Sequence, residues 1–314
     1  MQNLLGFLLV LILVLSFRAS SLTASPNYPD YFQHYKIVAK HLGITAKQIV
    51  LTFDDGPSIH SKRLLEVLLA YKVPATFFVV NDSINRLPKA DIDEIFTLIK
   101  DNPELFNLSH HSSTHRNFFE IRNKQDLAEE FVTTHKVIQS YLSDTKDYIF
   151  FRAPYGNFNN PMSDFYNGDP DLAPFAANYV GPVYWDIGGF YDSEFTPPNA
   201  NGTLYYRGDY ACWNAAWMKR VQDAGKSPTA VCTSGYYQEV LKRKSQGMII
   251  LAHDFWKSTV DMFVGKTEVE NGEVVKEDPH SLLYKLLSLK ALGYEIVALD
   301  HDVAKVEEVK NFKP

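Results

Sequence analysis

An α/β fold of parallel strands is what this sequence predicts, and three observations predict it. Short apolar, β-rich runs alternate with segments of helical periodicity along most of the chain. The composition, 46% hydrophobic and 22% charged, suits a globular protein and excludes disordered, collagen-like and coiled-coil chains. The residues with chemistry to offer gather at the carboxyl ends of the predicted strands, the face where active sites of parallel folds assemble. Strands joined by crossover helices leave two architectures open, a closed barrel or a doubly wound sheet.

The elements follow in order. Gln48–Phe53 reads as a strand, and Ser61–Tyr71 as a helix with Leu64, Leu65, Leu68 and Leu69 on one face. Ala75–Val80 is an apolar strand. Asp91–Asp101 is a helix, and Lys124–Leu142 another, its stripe made by Leu127, Phe131, Ile138 and Leu142. Tyr148–Phe151 and Gly181–Ile187 are strands, Ser234–Ser245 a helix, Gly247–His253 a strand, Ser281–Leu292 a helix and Tyr294–Leu299 the last strand. Two stretches rich in Gly, Pro, Asn and Tyr, Gly156–Pro182 and Tyr191–Ser234, read as long loops following strands, which in a compact domain are usually functional. Lys266–Lys276 alternates around Asn271-Gly272 and reads as a β-hairpin with a type I′ turn. We expect it to overhang the cleft at that face and restrict what enters.

With 314 residues the chain allows one large domain or two, and no linker or repeat divides it. Leu4 to Phe17 is an apolar run broken only by Ser16, short for a membrane span and followed by small residues, so residues 1–25 read as a secretory signal peptide. No Lys or Arg precedes the run, so an uncleaved anchor is the alternative. A periplasmic or secreted protein is expected. The net charge of −6 argues against a nucleic-acid or anionic-membrane partner. Cys212 and Cys232 form no CxxC, and in an exported protein they read as one disulfide closing a surface loop.

Four segments carry the chemistry. Asp54-Asp55-Gly56-Pro57 ends the first of these strands. Neighbouring side chains on a straight strand face opposite ways, yet at a turning strand end both can enter one pocket, where a cation or proton must relieve their repulsion. Alone it could equally be an exposed turn. His111 and His115 are four apart, a recurrent zinc-ligand spacing, and two His plus a carboxylate leave positions open on a catalytic metal. Arg152, in Arg152-Ala153-Pro154-Tyr155, follows a strand and could orient a carboxylate through a paired contact. His253 ends another buried strand and is placed as a general acid, though a lone His there could be a core residue.

Together these segments resemble the polysaccharide deacetylase family, the NodB homology domain or carbohydrate esterase family four. The resemblance covers roughly Lys47 to Asp300, through Thr52–Pro57, His111-Ser-Ser-Thr-His115, Arg152-Ala-Pro-Tyr155 and Leu251-Ala-His253. It implies a distorted (β/α) barrel over 47–305, between a 26–46 extension and a 306–314 tail. It implies a divalent metal, most often zinc, with cobalt or another ion allowed, held by Asp55, His111 and His115. Asp54 would be the general base, His253 the general acid and Arg152 the group positioning Asp54. The Tyr155 backbone N–H would help bind the oxyanion, and Leu251 would line the acetyl pocket. The fourth motif departs from the family. Trp185-Asp186 begins it, but no Asp-Trp follows, so Asp209, Asp192 and Asp186 compete to tune His253, with Asp209 preferred. Trp185, Tyr184 and Trp213 are expected either to stack on sugars or to fill the core.

The reading is a monomeric hydrolase that removes acetyl groups from N-acetylglucosamine residues of an extracytoplasmic polysaccharide, first of all peptidoglycan. The alternatives are a chitooligosaccharide or exopolysaccharide deacetylase, an O-acetyl esterase on xylan-type polymers, and a non-catalytic carbohydrate-binding protein. A non-haem iron oxygenase would also use two His and a carboxylate.

Overall fold

The computed structural model describes residues 32–141, 148–176, 179–192 and 205–310. In chain order its strands are β1 (Phe32–Ile37), β2 (Gln48–Asp54), β3 (Ala75–Val79), β4 (Phe106–His110), β5 (Ile149–Phe150), β6 (Tyr179–Val183), β7 (Gly189–Asp192), β8 (Tyr205–Gly208), β9 (Met248–His253), β10 (Glu268–Glu270), β11 (Glu273–Lys276) and β12 (Glu295–Ile296). The helices are α1 (Ser61–Ala70), α2 (Asn81–Asn85), α3 (Lys89–Lys100), α4 (Lys124–Tyr141), α5 (Asn160–Gly168), α6 (Ala173–Ala176), α7 (Ala215–Asp223), α8 (Pro228–Lys242), α9 (Lys257–Val264), α10 (Leu282–Ser288) and α11 (Val303–Lys310).

The strands close on themselves. β9, β2, β3 and β4 pair in parallel in that order. A bridge between His110 and Phe151 carries β4 over to β5, and β5 pairs with β6. Past β6, Ile187 bridges Ile250 of β9 and completes the circle. Two of these joints are single bridges, so the barrel is distorted, as the α/β pattern and the family resemblance predict.

Alternation sorts the strand residues into two apolar layers. Ile49, Leu51 and Phe53 of β2, Phe77 of β3 and Ile250 of β9 pack outward with Leu64, Leu65 and Leu68 of α1. Val50, Phe78, Phe150, Val180 and Ile249 form the inner layer. The runs are apolar at nearly every position because both faces are covered. The inner layer also contains Ile37, Leu42 and Ile44 from before β2, and Val306 and Val309 of α11. Gln33 donates to the Val309 carbonyl at 2.9 Å, joining the two ends of the described chain. Thus residues within the expected extension and tail fill the barrel's base, and β1 pairs with β6.

Several boundaries differ from the sequence reading. Gly156–Pro182 holds α5, α6 and most of β6, and Tyr191–Ser234 holds the end of β7, all of β8 and α7, and the start of α8. The helix expected at Ser234 begins at Pro228, where Ser227 caps the Ala230 N–H. Leu142, expected at the end of α4, lies outside the described residues, as does the 1–25 leader. The β10–β11 hairpin forms, with Asn271 and Gly272 both at positive φ as a type I′ turn requires. It packs against α1, a helix on the outer side of β2. Cys212 and Cys232 are bonded, and both are buried instead of lying at the surface. No described helix is long and apolar enough to cross a membrane.

Candidate active site

The inner-facing alternation of the strands continues past their ends and delivers the site. Val50 points into the barrel, so Thr52 and Asp54 do too. Ile249 does, so Leu251 and His253 follow; Phe150 does, so Arg152 follows. His111 lies one past β4, whose Phe106, Leu108 and His110 alternate with it. Asp55 has the outward parity, and its backbone φ of 70° swings it back to the same mouth. Ser112, His115 and Tyr155 also have positive φ, so the loops bearing the polar groups hold conformations that L-residues seldom adopt.

Gly56 is dictated by close approach. A Cβ there would lie 2.2 Å from the Asp254 carboxylate, which follows His253. Asp254 is buried; its backbone carbonyl accepts from Ser58 Oγ at 2.7 Å and its side chain from Ser61 Oγ. Burial pushes its carboxyl up to about 7, against the opposing Ser61 hydroxyl.

Asp54 and Arg152 form the deepest pair. Arg152 is fully buried, and its Nη1 donates to Asp54 Oδ1 at 2.6 Å and to Thr52 Oγ1 at 2.9 Å. Its other nitrogens reach the Val183 and Tyr184 carbonyls, and its guanidinium lies 4.1 Å from the Phe78 ring centre. Burial raises the Asp54 pKa, with Arg152 and then His253 pulling the other way.

Asp55, His111 and His115 converge so that one ligand atom from each lies within 4.8 Å of the others. Asp55 Oδ1 is 3.0 Å from His115 Nε2 and 3.5 Å from His111 Nε2. Yet Oδ1 is buried without an aligned hydrogen bond. His111 Nδ1 contacts the Arg152 carbonyl at 2.7 Å, and a carbonyl only accepts, so the ring proton belongs on Nδ1. Burial holds this ring neutral by lowering its pKa to about 3. Its Nε2 is therefore a lone pair facing a carboxylate. A neutral His111 nitrogen and a carboxylate facing each other, with His115 Nε2 beside them, fit a divalent cation, and the Nδ1 contact is the outer support such a ligand uses.

The turn carrying these histidines is held from behind. Glu130 of α4 is buried and accepts from the Ser113 N–H at 3.0 Å, the Thr114 N–H at 2.8 Å and the Thr114 hydroxyl. Sequence reasoning passed over Glu130, although a carboxylate on the apolar stripe between Leu127 and Phe131 was a signal.

His253 faces three acids. Its Nδ1 is 2.6 Å from Asp209 Oδ2, and its Nε2 is 3.7 Å from Asp55 Oδ2. Burial lowers its pKa, but Asp209, Asp55 and Asp54 outweigh that and raise it to about 10. Of the three acids competing for this place, Asp209 reaches His253. Asp186 uses its carboxylate to accept from the Ile249 and Ala39 N–H groups. Asp192 lies in β7, with its side chain outside the described residues.

The aromatic and apolar residues separate similarly. Leu251 is buried beside His253. Tyr155 is exposed, its ring 4.8 Å from that of His115. Trp185 is half-buried near Arg152. Trp213 packs edge-on to His253 at 4.8 Å and parallel to Trp256 at 5.8 Å. Trp256 also went unremarked in the sequence.

Residues 43–167 match the family model described as polysaccharide deacetylase. This stretch, less than half of the chain, is similar to the polysaccharide deacetylase family. The matched stretch includes Asp54, Asp55, His111, His115, Arg152 and Tyr155, but ends before Asp209 and His253. A bifunctional xylanase/deacetylase of Pseudobutyrivibrio xylanivorans is 32% identical over 118 residues, 37% of this chain and 18% of that protein. A chitooligosaccharide deacetylase of a Bradyrhizobium species is 27% identical over 142 residues, 45% of this chain and 57% of that protein. The alignments thus span less than two thirds of these relatives' own lengths. The chitin deacetylase of the fungal pathogen Colletotrichum lindemuthianum shares the fold, with a TM-score of 0.51 at 18% identity over 81% of this chain and 86% of that one.

Proposed function

We propose that this protein hydrolyses the acetamide of N-acetylglucosamine residues in an extracytoplasmic polysaccharide, with peptidoglycan as the polymer, using a divalent metal, most often zinc. The observation that carries the reading is the mouth itself. A carboxylate and two imidazoles converge as acceptors between a buried Asp–Arg pair on one side and a His–Asp pair on the other.

Asp55, His111 and His115 would hold the cation. A divalent ion there polarises a carbonyl and lowers the pKa of bound water from about 16 towards 7. Asp54, oriented by Arg152, would take the proton from the attacking water; its raised pKa makes it a better base than an exposed carboxylate. The Tyr155 N–H would donate to the developing oxyanion, a contact whose loss typically costs about 3 kcal/mol. An amine leaves poorly unless protonated, and His253, kept charged by Asp209, would supply the proton from Nε2. Leu251 would line the acetyl-methyl pocket, and Trp185 and Trp213 would face the sugar.

The test is acetate and free-amine release from purified peptidoglycan beside N-acetylglucosamine oligomers and acetylated xylan. Release with new amines from peptidoglycan above the other polymers supports the reading. Acetate from xylan alone, without new amines, would make the protein an O-acetyl esterase.

A further inference from the structure

The rim beside His253 carries a feature that the chemistry above does not use. Four groups run outward from the general acid in contact. Trp213 packs edge-on to His253, and Trp256 lies parallel to Trp213, at 10° between planes. Phe255 meets Trp256 edge-on at 5.2 Å, and the Arg86 guanidinium is 5.9 Å from the Phe255 ring centre. The row ends in a groove of about 220 Å³ lined by Pro57, Ser58, Ile59, Ser83, Arg86 and Phe255. Pro57, which lines the groove, lies two residues beyond Asp55.

This surface is not the packed exterior of a monomer. Trp256 is 39% and Ile59 72% exposed at one rim, an apolar grouping that marks recognition rather than core. Aromatic faces bind the apolar faces of sugar rings while leaving hydroxyls to water. Arg86 adds the discriminating charge. It is exposed and forms no ion pair with an acidic side chain among the described residues, whereas Arg63 and Lys257 both pair with Asp261. An unpaired guanidinium at the end of an aromatic track fits a carboxylate, which it can grip through two N–H donors.

We propose that Trp256, Phe255 and Arg86 form a subsite for a carboxylate-bearing sugar next to the acetylated residue being hydrolysed, so the occupant is an acidic glycan strand rather than a neutral one. This deepens the deacetylase reading and rests on it for the orientation of the strand. A strand alternating N-acetylglucosamine with a lactyl-ether sugar has that chemistry where the lactyl carboxylate is free of peptide.

The experiment measures binding, so it does not depend on turnover. Asp54→Asn protein is titrated, by tryptophan fluorescence and calorimetry, with a soluble peptidoglycan glycan fragment and with the same fragment methyl-esterified at its carboxylates. We expect the acid form to bind at least tenfold tighter, Arg86→Gln to bring that ratio near one, and Trp256→Ala to weaken both forms. Equal affinity for both forms, or an unchanged ratio in Arg86→Gln, would overturn the proposal. If the unsubstituted protein releases no acetate from any polymer while the binding pattern holds, the deacetylase reading fails and the acidic-glycan subsite stands.

Discussion

The Asp209 carboxylate lies 2.6 Å from Nδ1 of His253, on a short helical turn that the disulfide ties to α8. Asp209 is itself buried, and burial raises its pKa against the pull of His253. The pair makes His253 a cation held inside the protein. Replacing Asp209 by Asn leaves the shape and removes the charge. We expect Asp209→Asn to lower kcat by about 10²–10⁴-fold, the usual weight of general acid catalysis, with the fold intact by circular dichroism. Wild-type turnover in Asp209→Asn would place the proton donor elsewhere.

The same pair sets a pH dependence of stability. The folded pKa of His253 is raised to about 10 from an ordinary 6.5, so above pH 6.5 the native state holds a proton the unfolded chain has lost. That stabilisation is complete below about pH 6.5 and disappears as pH rises through about 10. Urea melts of chelator-treated protein between pH 7 and 10 should therefore show falling stability, and a shallower fall in Asp209→Asn. An equal slope in both proteins would contradict the assignment.

Arg152 and Asp54 are a buried pair, and breaking one leaves the other charge uncompensated. Arg152→Ala should destabilise the protein by about 3–5 kcal/mol. Adding Asp54→Asn to it should restore part of that loss, because the stranded carboxylate is gone. Chemical denaturation of the two single variants and the double variant measures this coupling directly.

Glu130 holds the turn between His111 and His115 through two backbone amides and a hydroxyl. Supports of this kind typically change metal affinity 10–100-fold. Glu130→Gln should weaken zinc binding by about that range in a competitive chelator titration, while adding saturating zinc recovers much of the activity. Unaltered zinc affinity would reduce Glu130 to a packing role.

Much of this was legible in the sequence, for a physical reason. β2, β3 and β9 are covered on both faces, so they appear as continuous apolar runs, and each polar residue that ends one is conspicuous. Asp54, Arg152 and His253 stand out that way, and His111 by its spacing from His115. Asp55 was harder, since only a backbone turn with φ of 70° brings it to the side of Asp54. The sequence favours Asp209 over Asp186 and Asp192 as the acid partner of His253 without fixing it, because the choice is made by tertiary packing of the segment before α7. The closing of the barrel base by Ile37 and Val309 was invisible for the same reason: those residues come from opposite ends of the described chain. Other misses had signals. Asn159 before Pro161, and Ser227 before Pro228, are helix starts that announce α5 and α8 inside apparent loops.

The disulfide restrains the segment bearing Asp209. Its loss should cost about 3 kcal/mol, since it closes a loop with a sequence separation of 20. Cys232→Ser should lower the melting temperature and, by loosening Asp209, reduce kcat more than it raises KM. A variant with a lower melting temperature and unchanged kcat would separate the bond from catalysis.

The central claim is that Asp55, His111 and His115 hold a cation used by Asp54. It is tested most directly by acetate release from N-acetylglucosamine oligomers with the metal stripped and then restored, beside Asp54→Asn. The account predicts release that vanishes on stripping, returns with one equivalent of zinc, and is absent in a zinc-loaded Asp54→Asn protein. Release that persists without metal, or that survives Asp54→Asn, would contradict it.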